Sequence, residues 1–141
     1  MEAIIALILA IAVEVGIPAQ FALSIALEEN KVLNPSAENH NVNGTIDRGI
    51  MQLNSGWYSD ANWADPETNI RAGCQHIRWI MSLPEVNTFW AVAVVYNAGH
   101  SKLHNPPKRS LDYANRVIDR WNELEGRNVE IINRGGEDDN G

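Results

Sequence analysis

The stretch Ser24-Ile25-Ala26-Leu27-Glu28-Glu29-Asn30 ends an apolar helix with two consecutive carboxylic acids. Apolar residues recur from Phe21 to Leu27, which predicts one wide buried face. Two acids at a helix C-terminus oppose the helix dipole, and local rules are often broken at functional sites. On these residues alone, two solvated helix-end acids are the simpler interpretation. A functional acid is the alternative.

Start and stop signals predict four more helices around this stretch. The first precedes the break at Gly16-Ile17-Pro18, and the third follows the cap, proline and acid of Asp65-Pro66-Glu67. The predicted ranges are residues 2–15, a helix ending near Met81, residues 89–96 capped by Asn87 or Thr88, and residues 110–121 capped by Ser110. The segment from His100 to Arg109 is predicted to be a loop.

The middle of the chain has a different composition. Between Asn34 and Ser55 it is rich in Asn, Gly, Ser and Asp, and Asn43-Gly44 is a strong turn signal. We therefore predict a mainly α domain over residues 1–125, with a small loop or hairpin insertion around residues 39–55. The polar, Gly-rich residues 126–141 are predicted to form a flexible tail.

Size and charge narrow the class of protein. The chain has 141 residues, 45% of them hydrophobic, which fits one globular domain. Its net charge of -7 disfavours nucleic acid as a partner, because phosphate binding needs clustered Lys and Arg. The first helix is too short for a membrane span. It also makes a poor export signal, because Glu2 stands where a basic segment is expected.

Neither the cysteine nor the histidines suggest a metal site. Cys74, the single cysteine, is expected to be a buried packing residue. His100 and His104 are four residues apart, but in a proline-containing segment without nearby acids. We expect no metal and no cofactor. Most of the five tryptophans are expected in the core, whereas Trp57-Tyr58 is expected to line a groove.

Four motifs resemble the soluble lytic transglycosylase family of the lysozyme-like superfamily. They are the Ser24–Asn30 stretch with Asn34-Pro35, Gly49-Ile50-Met51-Gln52, Val95-Tyr96-Asn97-Ala98-Gly99 and Leu111-Asp112-Tyr113-Ala114. They occur in the family's order over residues 17–121. The resemblance implies a lysozyme-like fold with Glu29 as the catalytic acid. One extra residue before Asn34 keeps Glu28 as the alternative acid.

The resemblance also implies roles for the other motif residues. Tyr113 would orient Glu29, and Gln52 would hydrogen-bond the substrate. Met51 would line the groove, and Tyr96 and Asn97 would contact an N-acetyl sugar. Asn30, in the place of the family's Ser, would also bind sugar.

Asp47 has two interpretations. The segment from Asn43 to Ser55 resembles the part of animal-type lysozymes that carries a second carboxylate. It is also similar to the specialised lytic transglycosylases that accompany secretion systems and pili. Asp47 is thus a candidate second catalytic carboxylate. A loop Asp bonded to its own backbone or paired with Arg48 is equally compatible with the sequence.

The resemblance implies a peptidoglycan lytic transglycosylase. It would cleave the β-1,4 bond between N-acetylmuramic acid and N-acetylglucosamine and leave a 1,6-anhydro product. The alternatives are a muramidase that uses Glu29 and Asp47, and a non-catalytic glycan-binding or phage-structural module. We expect a monomer in the periplasm or cell envelope, working alone or within a larger envelope or phage assembly.

Overall fold

The computed structural model describes the backbone of residues 1–140 and the side chains of residues 1–126. These residues form five α-helices, which pack against one another, and a small antiparallel sheet. The elements are α1 (Glu2–Val15), α2 (Ala19–Glu29), β1 (Glu38–His40), β2 (Ile46–Arg48), β3 (Leu53–Asn54), α3 (Pro66–Met81), α4 (Phe89–Ala98), a 3-10 turn (His100–Lys102) and α5 (Lys108–Asn140). The predicted mainly α class is confirmed.

Helix α1 ends where the sequence predicts. Gly16 adopts φ 88°, and its N–H donates to the carbonyls of Ala12 and Val13. Only glycine adopts this left-handed conformation without a steric cost. Pro18 precedes α2 as its N-cap. The short connection folds α2 back against α1, so that the apolar residues of both helices enter one core.

The polar middle segment forms a sheet in the order β1-β2-β3. Asn39 pairs with Asp47, and Asp47 pairs in turn with Asn54. The buried Asn69 of α3 ties the next loop to the helices: its Oδ1 accepts from the Met51 N–H (2.8 Å), and its Nδ2 donates to the Arg48 carbonyl (3.1 Å). The predicted insertion is therefore a three-stranded sheet anchored on α3.

The predicted starts of α3 and α4 are confirmed. The Asp65 side chain accepts a hydrogen bond from the Thr68 N–H (2.9 Å), with Pro66 in the first turn. Thr88, rather than Asn87, caps α4 by accepting from the Ala91 N–H (3.1 Å).

The predicted bounds of the last helix are wrong at both ends. It begins at Lys108, after Pro106-Pro107, and the 3-10 turn interrupts the predicted loop. Ser110 is therefore no cap; it lies buried inside the helix, where its hydroxyl donates to Asn97. The helix continues beyond Trp121 because no helix-breaking residue precedes Gly126. The predicted flexible tail covers residues 126–141. With the exception of Gly126, these residues lie outside the part of the chain whose side chains are described.

Three aromatic rings join α2, α4 and α5. Phe21 contacts Phe89 and Trp121 at ring-centroid distances of 5.1 Å, and Phe89 contacts Trp121 at 5.2 Å. Tilted and edge-on pairs of this kind add to the stabilisation from burial alone. The expectation that most tryptophans are core residues is wrong for Trp79 and Trp90, which are 49% and 39% exposed.

Gly73 of α3 allows the loop carrying Met51 to pack closely. A Cβ at Gly73 would lie 2.6 Å from Cγ and 2.7 Å from Cβ of Met51. Both atoms are near the backbone and cannot swing away. We expect Gly73→Val to lower the free energy of unfolding by about 2 kcal/mol through overpacking. Urea denaturation measures this change.

Gly126 provides the matched control, because a Cβ there would meet nothing within 4 Å. Gly126→Val should change the free energy of unfolding by no more than about 0.5 kcal/mol. If both substitutions lower the free energy of unfolding equally, the loss at Gly73 does not come from its close contact with Met51.

Candidate active site

An open cleft of about 990 Å³ runs between the sheet and the helices. Several elements contribute to its walls: the end of α2, strands β2 and β3, helix α3 and the end of α4. Five predicted site residues line it, namely Glu29, Asp47, Gln52, Tyr96 and Asn97. Residues far apart in the sequence thus share one cavity large enough for several sugar-sized groups.

Glu29 is a partly buried acid at the wall of this cleft. Burial raises its pKa to about 7. The Tyr113 hydroxyl opposes this rise, whereas the negative charges of Asp47 and Glu28 add to it. Near neutral pH a large fraction of Glu29 is therefore protonated, as a general acid requires.

The neighbouring Glu28 is in the opposite state. Burial by itself would raise its pKa, but hydrogen bonds and ion pairs with Arg116 and Arg120 outweigh that effect and lower it. Its carboxylate accepts from Arg116 Nε at 2.5 Å and from Arg120 Nη2 at 3.0 Å. An ionised acid held by two guanidinium groups is a poor proton donor. The geometry therefore favours Glu29 over Glu28 as the acid.

Tyr113 of α5 approaches Glu29 from inside the protein. Its hydroxyl is buried and has no hydrogen-bond partner within 3.5 Å among the described residues. Burial and the charge of Glu29 hold its pKa well above the usual range, so it stays protonated. A buried donor facing the acid suits the orienting role expected for Tyr113, which stays a prediction.

Asp47 lies in strand β2, not in a loop as one interpretation assumed. Its Oδ1 accepts a hydrogen bond from Asn54 Nδ2 at 2.9 Å. Arg48 does not pair with it among the described residues; that guanidinium lies over the Trp63 ring, 5.5 Å from its centroid. Asp47 is thus a carboxylate held in the cleft wall, close enough to raise the pKa of Glu29.

Two expected sugar ligands are framework residues instead. Met51 does not line the groove, because its side chain is fully buried against Gly73. Asn30 is buried as well, and its side chain donates to the carbonyls of Asn34 (2.8 Å) and Gly49 (3.2 Å). Both predictions are wrong for the same reason: a motif shows that a residue is near the site, but not which way its side chain points.

Gln52 lines the cleft, but both polar atoms of its side-chain amide make hydrogen bonds within the protein. Its Oε1 accepts from Asn39 (2.6 Å), and its Nε2 donates to the Gly49 carbonyl (3.0 Å). The backbone at Gln52 is left-handed, with φ 52°, which is costly for a residue with a side chain. The turn is therefore held by the same hydrogen bonds that fix the Gln52 amide.

Tyr96 and Asn97, near the end of α4, also line the cleft. The Tyr96 hydroxyl donates to the Met51 carbonyl (2.5 Å), joining α4 to the loop after the sheet. Asn97 Oδ1 accepts from the Ser110 hydroxyl (2.7 Å), while the residue itself stays exposed. Both residues line the cleft, with internal hydrogen bonds that fix their orientation, and their contact with an N-acetyl sugar stays a prediction.

Trp57 lines the cleft as predicted, beside two residues of α3 that were not predicted there; we call Trp57, His76 and Trp79 the aromatic wall. The His76 ring stacks on Trp57 at 4.3 Å and on Trp79 at 5.7 Å between centroids. Both indoles are about half exposed and line the cleft. Burial lowers the pKa of His76 to about 4, so it is neutral at physiological pH. The sequence feature that could have predicted this wall is the spacing of His76 and Trp79, which are three residues apart and therefore share one face of an amphipathic helix.

Tyr58, the other half of the predicted Trp57-Tyr58 pair, does not line the cleft. Its ring packs against the hydrophobic core, and its hydroxyl is buried.

Cys74 is buried as expected. In the part of the chain with described side chains, no group of three His, Cys, Asp or Glu residues could hold a metal ion. No helix in the described part is long and apolar enough to cross a membrane.

Comparison with known proteins agrees with this geometry. Residues 6–118 match the family described as Transglycosylase SLT domain. Curated relatives include the invasion protein IagB of Salmonella typhimurium strains SL1344 and LT2. Each is 28% identical over 131 residues, covering 84% of this chain and 77% of the relative. No solved structure matches the chain.

The family match covers most of the chain and includes every predicted site residue, from Glu29 to Tyr113. Its fold class and its glycan-cleaving chemistry agree with the helical domain, the cleft and the buried acid described above. Peptidoglycan is the substrate that this family implies. The chain therefore belongs to the transglycosylase SLT domain family of glycan-cleaving enzymes.

Proposed function

We propose that the protein is a peptidoglycan lytic transglycosylase. It cleaves the β-1,4 bond between N-acetylmuramic acid and N-acetylglucosamine and leaves a 1,6-anhydro end. The observation that carries this proposal is the state of Glu29: an acid in the cleft wall with a pKa raised to about 7 by burial. Glycosidic cleavage requires a carboxylic acid of this kind.

The reaction uses Glu29 twice. The protonated carboxyl donates its proton to the glycosidic oxygen as the bond from that oxygen to C1 breaks. The substrate's acetamido group stabilises the positive charge that develops at C1. The Glu29 carboxylate then takes the proton of the C6 hydroxyl, whose oxygen bonds to C1. The acid is regenerated and no water is consumed.

The cleft supports each step. Burial keeps a proton on Glu29 for the first step, and the Tyr113 hydroxyl is available to stabilise the carboxylate that forms. The exposed Asn97 and the ring of Tyr96 form the wall where the N-acetyl sugar would lie. The aromatic wall presents apolar indole surface on which sugar rings pack.

A muramidase is the second candidate, and one observation favours it. Asp47 lines the same cleft and adds its charge to the surroundings of Glu29. In that mechanism water attacks C1, and Asp47 stabilises the cation or acts as nucleophile. The two candidates differ in product, because a hydrolase leaves free reducing ends.

The substrate also sets the location that we propose. An enzyme of peptidoglycan meets its substrate outside the cytoplasmic membrane, in the periplasm or cell envelope. The curated relatives are named invasion proteins. We propose that this chain acts within a larger envelope assembly, with the glycan strand as its direct partner.

Glu29→Gln tests the acid. The substitution keeps the shape of the side chain but removes the proton donor. We expect the rate of peptidoglycan clearing to fall by about 10²–10⁴-fold with binding retained. Turbidity of purified cell walls measures the rate, and co-sedimentation with walls measures binding.

Glu14→Gln is the control for that experiment. It makes the same change at an exposed α1 residue that pairs with Arg71. Its activity should stay within about twofold of the wild type, since surface changes have small effects. Undiminished clearing by Glu29→Gln would contradict the assignment of the acid.

The mass of the released fragments separates the two candidate reactions. A transglycosylase product is lighter than the hydrolysis product by one water. We expect anhydro ends from the wild type and from Asp47→Asn. Loss of the Asp47 charge should slow the variant about fivefold near neutral pH, because lowering the pKa of Glu29 from about 7 by about one unit cuts its protonated fraction from about a half to about a tenth. Free reducing ends throughout would favour the muramidase.

Trp79→Ala tests the aromatic wall. Loss of the indole should weaken binding of cell-wall fragments by about fivefold, the equivalent of about 1 kcal/mol of stacking. Calorimetry in the Glu29→Gln background measures binding without turnover. Trp90→Ala is the control, because Trp90 is also exposed but bonds Asn115 outside the cleft lining. Equal losses in both variants would contradict a specific role for the wall.

A further inference from the structure

Glu28 is buried at a position where the proposed reaction has no use for it. Its side chain is 5% exposed and does not line the cleft. Arg116 and Arg120, 88 and 92 residues away, hold both of its oxygens. A buried carboxylate with two partners is costly to desolvate, and apolar residues often replace such pairs without loss of stability. A stabilising role alone therefore explains Glu28 poorly.

Residues on one face of α5 contact both of the acids at the end of α2. Tyr113, Arg116 and Arg120 are three and four residues apart, which is the spacing of one helix face. Tyr113 faces Glu29, and the two arginines hold Glu28. We call Glu28, Arg116 and Arg120 the Glu28 clamp. It joins the end of α2, which carries Glu29, to α5, which carries Tyr113.

We propose that Glu28 is a positioning residue that controls the proton on Glu29. The clamp fixes the end of α2 against α5, and the negative charge that Glu28 keeps disfavours loss of the neighbouring proton. This inference rests on the proposed function, because it assumes that Glu29 is the general acid.

The charges around the two acids support this role. Glu29 faces Asp47 from β2, Tyr96 from α4 and Tyr113 from α5, and both tyrosines are neutral because burial raises their pKa. The remaining negative charge beside Glu29 is that of Glu28, whose pKa stays lowered despite burial. It is therefore ionised over the whole range in which Glu29 titrates.

The arginines cancel this charge at Glu29 only in part. Arg116 and Arg120 are 55% and 31% exposed, and Asp112 lies near Arg116. Water screens exposed charges strongly and buried ones weakly. The charge of Glu28 thus acts on Glu29 through protein, whereas the positive charges act partly through solvent. Glu28 accordingly contributes to the raised pKa of Glu29.

The dependence of the cleavage rate on pH tests the proposal. The rate depends on protonated Glu29, so it should fall with rising pH through a pKa near 7. Glu28→Gln removes the charge and should move this decline to lower pH by about half a unit. At pH 8 the rate should then be about threefold below that of the wild type. KM should change little, because Glu28 does not line the cleft.

Two further variants separate charge from structure. Arg120→Gln removes one opposing charge, so the decline should move to higher pH, opposite to the effect of Glu28→Gln. Glu28→Asp keeps the charge, and its decline should stay at the wild-type pH. The matched control is Glu14→Gln, which should show an unshifted profile. If Glu28→Gln does not fold, these variants still test the charge.

The outcomes distinguish this inference from the proposed function. An unshifted decline in Glu28→Gln, or shifts in the same direction for Glu28→Gln and Arg120→Gln, would overturn the role of Glu28. Such a result leaves Glu29 as the acid if Glu29→Gln is inactive. Activity in Glu29→Gln would instead overturn the proposed function. Equal losses of rate at every pH would mean that the clamp is structural only.

Discussion

The contact between the end of α2 and one face of α5 determines how the site works. Successive residues of a helix point roughly 100° apart, so Glu28 and Glu29 meet different surroundings. Two guanidinium groups hold Glu28 in its charged form, while burial leaves Glu29 with a raised pKa despite the opposing effect of the Tyr113 hydroxyl. The same contact packs Phe21 against Trp121, so core packing and acid chemistry depend on one helix pair.

Hydrogen bonds between loops and helices hold other parts of the cleft together. Asn69 ties the loop after β2 to α3, and the Tyr96 hydroxyl ties α4 to the carbonyl of Met51. Several motif residues serve this framework rather than the cavity. Met51 fills the space that Gly73 leaves open, and Asn30 holds the backbone that follows α2. A rigid frame of this kind keeps the groups that line the cleft in a fixed geometry.

Much of the fold could be predicted from local signals. Gly16 ended α1, Asp65 and Thr88 capped their helices, and α3 ended at Met81 as expected. Predictions from local sequence signals were wrong where contacts with distant residues determine the structure. Ser is a residue type that often caps helices, so Ser110 was predicted to be the cap of α5. The helix instead starts earlier, at Lys108, directly after Pro107. The buried Ser110 hydroxyl donates a hydrogen bond to Asn97. Trp79 was expected in the core, yet it stacks beside His76 at the cleft.

The sequence by itself determined the class of fold, the order of the motifs and the short set of residues from which a site could be built. Those properties depend on periodicity, caps and motif order, all of which are local along the chain. The motifs already favoured Glu29 over Glu28, but only the tertiary structure shows how the two acids differ in their surroundings, because the arginines that hold Glu28 lie about 90 residues away. The same holds for Met51 and Asn30 as framework, and for Trp57, His76 and Trp79 as one wall. Burial, charge pairing and ring stacking depend on which distant residues meet, and only the folded chain brings those residues together.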